Sequence, residues 1–202
     1  MVLRGLAALV MLTALLLPTS VSSTPYGVGN EANEGCLCHT PMDETKLSVD
    51  GFPSKYEANT TYEMTLSISS PVGIETNQSQ GGFRMTVSNG TLLFNDTEAQ
   101  EMDGGWTHLE NGTYQRSWDF SWTSPDDNSS RTEFTVHGNA VNGNGLQTGD
   151  GWSTYSIVLP GVEHDGDLAE RAGLNGLGTY DKVLLLVGLC ALVGMLWSVN
   201  RS

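Results

Sequence analysis

From Lys46 to Pro160 the chain is a succession of short segments in which apolar residues alternate with polar ones. "TYEMTLSIS" puts Tyr62, Met64, Leu66 and Ile68 on one face. "GFRMTVS" does the same with Phe83, Met85 and Val87, and "YQRSWDFSW" with Trp118, Phe120 and Trp122. "KLSVDGF", "TLLF", "TEFTVHGNAV" (Phe134, Val136) and "TYSIVLP" complete the series. A period of two over runs of this length selects half-buried antiparallel strands, and residues 40–160 contain no stretch with a helical period. About seven strands with turn residues between them describe an all-β, immunoglobulin-like antiparallel sandwich. The Cys–Trp–Cys spacing of antibody domains is absent.

Both ends of the chain have a different texture. Residues 1–23 carry Arg4, then a long apolar run, then small residues, which predicts a signal peptide cleaved after Ser23. Val183 to Val199 hold no charged residue and would span roughly 25 Å as a helix, which predicts one C-terminal transmembrane helix over residues 182–199. Tyr180 and Trp197 are placed for the two membrane interfaces, with Lys182 able to snorkel and Arg201 in a short cytoplasmic tail at 200–202. The expected order is therefore signal peptide, exposed leader at 24–45, sandwich at 46–160, stalk at 161–181, anchor and tail. This arrangement predicts a plasma-membrane protein with its sandwich outside the cell.

The formal net charge of −14 argues against nucleic acid or an anionic lipid surface as a partner of the sandwich. Six N-x-S/T sequons, at Asn59, Asn77, Asn89, Asn95, Asn111 and Asn128, are candidate glycosylation sites on an exported chain.

Chemistry concentrates in "GCLCHT". Cys36 and Cys38 are the cysteines outside the membrane segment, where Cys190 lies, and His39 follows directly. Two thiols and a histidine are the ending of a c-type haem attachment site, which normally has two residues between its cysteines rather than Leu37 alone. Three chemistries are compatible with the triplet. Cys36 and Cys38 can attach haem c through thioethers, with His39 as axial ligand to the iron. The same side chains suit copper or zinc, given a further ligand such as Met42, His108 or His137. A Cys36–Cys38 disulfide would make them a staple.

A second candidate is "HGNAVNGNGLQTGDGW", where Asn139, Asn142, Asn144 and Asp150 form an oxygen-rich loop. A long turn explains it better than calcium, because the closing Glu of a calcium loop is missing. Of the tryptophans, Trp118 and Trp122 share the inward parity of Phe120 and belong to the core; Trp106 and Trp152 are the other candidates for a carbohydrate platform. No nucleophile–base pattern, zinc-protease motif or phosphate loop is present, so the expectation is a protein that is not an enzyme.

In their order and spacing, "GCLCH", "GFPSKYEANTTYEMTLSI", "GGFRMTVSNGTL", "WTHLENGTYQRSWDFSWTSP" and "FTVHGNAVNGNGLQTGDGW" resemble the choice-of-anchor V family, related to the Reeler domain at the start of reelin. The likeness covers residues 35–159. It implies a Reeler-like sandwich with a surface anchor and a haem-like motif at Cys36, Cys38 and His39. It also implies an Asn/Gly-rich loop at Asn139, Asn142, Gly143, Asn144 and Asp150 that packs against the cysteine segment. The function expected on these grounds is a haem-binding or electron-transfer surface module. The alternatives are a non-catalytic adhesion module and a copper- or zinc-binding surface protein.

Overall fold

The computed structural model describes residues 25–166, Leu168 and residues 179–200. The predicted signal peptide, residues 167 and 169–178 of the stalk and the last two residues of the tail lie outside the described residues.

Nine strands form two antiparallel sheets. The four-stranded sheet has the order β1 (Lys46–Asp50), β2 (Thr61–Ser69), β7 (Ser117–Thr123), β4 (Thr91–Phe94). The five-stranded sheet has the order β5 (Ala99–Met102), β6 (Gly105–His108), β3 (Gly81–Val87), β8 (Arg131–Ala140), β9 (Gly151–Pro160). Two strands exceed the seven expected. β5 and β6 are polar and carry no alternation, and they exist because Asp103 and Gly104 take positive φ (47° and 71°) and close a tight hairpin.

The alternating residues meet between the sheets. Met64, Leu66 and Ile68 of β2 pack with Trp118, Phe120 and Trp122 of β7 and with Phe83, Met85, Phe134 and Val136 of the opposite sheet. Trp118 and Trp122 are core residues, with 1 % and 0 % exposure. A buried indole needs a partner for its N–H, and Trp118 donates to Gly112 O (2.9 Å) and Trp122 to Asn89 O (3.2 Å). Phe94 stacks on Phe120 at 4.7 Å between ring centres, bringing β4 onto the same core.

The leader differs from its expected exposed state. It lies against the outer face of the five-stranded sheet, because that face carries a buried cation and a histidine that need acceptors. Arg84 on β3 is fully buried, and its guanidinium donates to Asn33 Oδ1 (2.9 Å), Met102 O (2.6 Å) and Asp103 O (3.1 Å). His137 on β8 reaches Asn33 O through Nε2 (2.8 Å) and Thr154 Oγ1 through Nδ1 (2.8 Å). Val28 N donates to Thr107 Oγ1 (3.1 Å). Unpaired, each of these buried groups would cost about 1–3 kcal/mol.

Helix α1 (Thr179–Asn200) is the one long helix among the described residues. Its side chains are described from Tyr180 to Cys190, and Leu184, Leu185, Leu186, Val187 and Leu189 are all exposed. Among the described residues no helix is long and apolar enough to cross a membrane.

Candidate functional site

The end of the sandwich where β3 and β9 begin and β8 ends holds a cavity of ≈ 570 Å³ between the leader and the sheet. Cys36, Cys38 and His39 line it from the leader side, and Phe83, His108 and Asn139 from the sheet side. Its size falls within the ~300–1,000 Å³ of small-molecule and cofactor sites, and its lining is mostly apolar, as theirs is.

Trp152 at the start of β9 positions the cysteine segment. Its indole N–H donates to His39 O (3.0 Å). Its backbone N–H donates to Thr40 O (3.2 Å), and its carbonyl accepts from Met42 N (3.0 Å). Gly35, immediately before Cys36, lies flat on the indole. Its φ of +123° is in the left-handed region, and a Cβ there would stand 2.3 Å from Trp152 Cη2, so glycine is required. Gly82 on β3 serves the same cavity from the other side. A Cβ on it would come within 2.7 Å of His108 Cε1, so its absence lets that ring lie over the strand.

His39 Nδ1 lies 3.0 Å from Asp150 Oδ2, with both side chains nearly buried. The carboxylate is in contact with the ring, although no aligned hydrogen bond closes at Nδ1. Burial pushes the imidazole below its ordinary pKa, and the neighbouring Asp150 carboxylate opposes that shift. Asp150 thus orients a ring that stays neutral near pH 7, and Nε2 is the nitrogen that Asp150 does not engage. Such carboxylate–imidazole support is what a metal-ligating histidine normally has behind it.

The two cysteines carry free thiols rather than the disulfide considered above. Burial, reinforced by the nearby Cys38, pushes the Cys36 thiol up to about 12. It is therefore a thiol at neutral pH, poorly suited to bind a metal as thiolate or to exchange disulfides. The further ligands considered for copper or zinc do not assemble. His137 has both ring nitrogens engaged, Met42 does not line the cavity, and His108 Nδ1 accepts from Phe83 N (3.1 Å). Among the described residues no three His, Cys, Asp or Glu side chains converge as a metal ion requires.

The Asn/Gly loop divides in two. Asn142 Oδ1 accepts from Asn144 N (3.0 Å), and Asn144 Oδ1 from Leu146 N (2.7 Å). Both side-chain amides donate to Thr148 O. These oxygens are spent on consecutive Asx turns, with Gly143, Gly145 and Gly149 at positive φ, rather than directed at a cation. Asp150 and Asn139 belong to the cavity. Asp150 Oδ1 accepts from Asn142 N (3.0 Å), which ties the loop to the His39 pair. Asn139 is 6 % exposed, and its buried Oδ1 has no hydrogen-bond partner.

In the sequence Trp152 reads as a candidate for a carbohydrate platform and not as the clamp of the cysteine segment. The adjoining "GDGW" stretch, small residues beside one large aromatic, was the available signal. Trp106 packs against the core beside Phe94, 5.3 Å between ring centres, so the four indoles form no shared platform.

No family model and no curated protein matches the chain. Among solved structures it is similar to the human F-spondin reeler domain, at 17 % identity and a TM-score of 0.39, over 60 % of this chain and 92 % of that one. It is also similar to a conjugate transposon protein from Bacteroides vulgatus (13 %, TM-score 0.39, 64 % and 95 % covered). A conjugative transposon lipoprotein from Bacteroides eggerthii gives 16 % identity and a TM-score of 0.32, with 57 % and 97 % covered.

Proposed function

We propose that the chain is an exported, membrane-anchored, non-catalytic β-sandwich module that carries haem in the cavity between its leader and its five-stranded sheet. The observation that carries this reading is that Cys36, Cys38 and His39 all line one largely apolar cavity, with His39 backed by Asp150. Haem asks this chain for one neutral imidazole and a protonated thiol, whereas copper or zinc would ask for three or four converging ligands. His39 would offer Nε2 to the iron. Cys36 or Cys38 would add its S–H across a vinyl group, forming a carbon–sulfur bond without net oxidation. With one residue between the thiols, a single thioether is the attachment that the spacing accommodates without strain. Bound haem would supply one-electron chemistry, with the partner in electron transfer unassigned.

Export and anchoring rest on the sequence, on residues 1–23 and on the uncharged run from Val183 to Val199, whose described leucines are exposed; the described part of α1 is not by itself long and apolar enough to span a membrane. The sandwich would stand outside the cell, with a cytoplasmic tail.

The test is expression of the full chain in a host with a haem-attachment system, followed by a visible spectrum and an intact mass. A Soret band with covalently added haem mass supports the reading. An unmodified mass with no Soret band overturns it. Cys36→Ala and Cys38→Ala, measured separately, identify the attaching thiol, and His39→Ala should alter the spectrum while leaving the added mass.

A further inference from the structure

We propose that the folded chain is N-glycosylated at Asn95, in preference to its five other sequons, by transfer of a glycan from a polyprenyl-phosphate carrier. This rests on the export part of the proposed function and is independent of haem.

Asn95 lies in the exposed turn between β4 and β5, a turn fixed by Glu98 N and Ala99 N, both donating to Asn95 O at 3.0 Å. Within it, the backbone N–H of Thr97 donates to Asn95 Oδ1 (3.1 Å), and the Thr97 hydroxyl donates to the same oxygen (2.9 Å). A carboxamide nitrogen is a weak nucleophile because its lone pair is delocalised into the carbonyl. Two donors on Oδ1 stabilise the form in which Nδ2 gives up a proton, which is the form able to attack. The fold therefore holds this sequon with its hydroxyl already on its own asparagine and with all three residues exposed.

The other sequons are spent elsewhere. The Thr113 hydroxyl of the Asn111 sequon is buried and donates to Glu110 O (2.8 Å). At Asn128, Oδ1 accepts from Ala58 N (2.7 Å), while Ser130 Oγ pairs with Tyr56 OH (2.7 Å). Ser79, serving Asn77, pairs with Thr113 Oγ1 (2.9 Å), and Thr61, serving Asn59, pairs with Thr123 Oγ1 (2.9 Å). Asn77 and Asn59 also hold positive φ, 61° and 52°. At Asn89 the oxygen accepts from Gly90 N (3.0 Å) rather than from the hydroxyl two residues on.

In the transfer, Nδ2 of Asn95 forms a bond to C1 of the first sugar. The bond from C1 to the carrier phosphate breaks, and its electrons leave with the phosphate. Nδ2 loses one proton to a carboxylate of the membrane transferase. No oxidant or reductant takes part.

The experiment is site-resolved mass mapping of the full chain purified from the membranes of its source organism, together with the mass of its N-terminus. Expected is a glycan on Asn95 at several-fold higher occupancy than on Asn111 or Asn128. Asn95→Gln should remove it, Thr97→Val should lower occupancy several-fold, and Thr97→Ser should restore it, all with an unchanged melting temperature. Comparable occupancy at Asn111 would mean that transfer reads the unfolded chain, and it overturns the proposal. So does a bare Asn95 on a chain that has lost residues 1–23, with the export reading left standing. A bare Asn95 on a chain that retains residues 1–23 overturns both.

Discussion

His137 shows how much a single side chain does here. It sits on the sheet face with 6 % exposure and bridges Thr154 to the leader carbonyl of Asn33. Burial depresses its pKa, partly offset by the hydrogen bond to Asn33 and the charge of Glu34. With the folded pKa below the unfolded value, the unfolded chain takes up the proton first as pH falls. Stability is then fully present above about pH 6.5 and is lost as pH falls through the folded pKa. Thermal melts between pH 7.5 and pH 5 should show a falling midpoint, and His137→Gln should flatten that slope in part, the remainder belonging to His39. Trp152 is the second such residue. Trp152→Phe keeps a ring beneath Gly35 but removes the donor to His39 O, and should cost about 1 kcal/mol. The sharper readout is Cys36, whose half-buried thiol, pushed up to about 12, should react slowly with iodoacetamide at pH 8 and several-fold faster once the indole is gone.

At the scale of elements, the leader behaves as a tenth piece of the sandwich, tied down by Arg84. Arg84→Leu would leave Asn33 Oδ1, Met102 O and Asp103 O without their donor and remove the charge that holds two loops together. The expected loss is about 3 kcal/mol, checked by urea unfolding, with hydrogen exchange rising first in residues 28–35. None of this was legible beforehand, because an arginine in an alternating strand reads as a solvent-facing residue. What covers it is a Gly/Asn-rich segment without apolar periodicity. The inner faces were legible for the opposite reason. Met64, Leu66, Trp118, Phe120 and Trp122 alternate strictly, and a one-residue slip would turn all of them outward. β5 and β6 do not show in apolar alternation, because this hairpin has little, although "MDGG" is a hairpin signal. The candidate site was half legible. The motif itself announced Cys36, Cys38 and His39, and the resemblance set the loop of Asp150 against them, but neither singles out Asp150 as the neighbour of His39, more than a hundred positions away.

At the scale of the molecule, topology and charge govern what the site can meet. The cavity lies where β9 begins, and the chain leaves the sandwich where β9 ends, ten residues later, about 33 Å along the strand. The cavity and the chain's exit at Pro160 thus lie at opposite ends of β9, and the exposed Leu37 and Leu146 are among the cavity's lining residues. The molecule that carries it has 23 acidic against 9 basic residues. So one-sided a surface repels itself, and folding concentrates the charge. Salt relieves this by shortening the screening length from about 30 Å at 0.01 M to about 3 Å at 1 M. The melting midpoint of the full chain in detergent should therefore rise steadily with NaCl over that range. Most of the rise should come below 0.2 M, where screening begins to act across the spacing of surface charges. The same experiment in sucrose, which strengthens burial without screening, separates the two causes. A midpoint that responds to sucrose but not to low NaCl would show that the acidic surface serves solubility alone and exerts no strain on the sandwich.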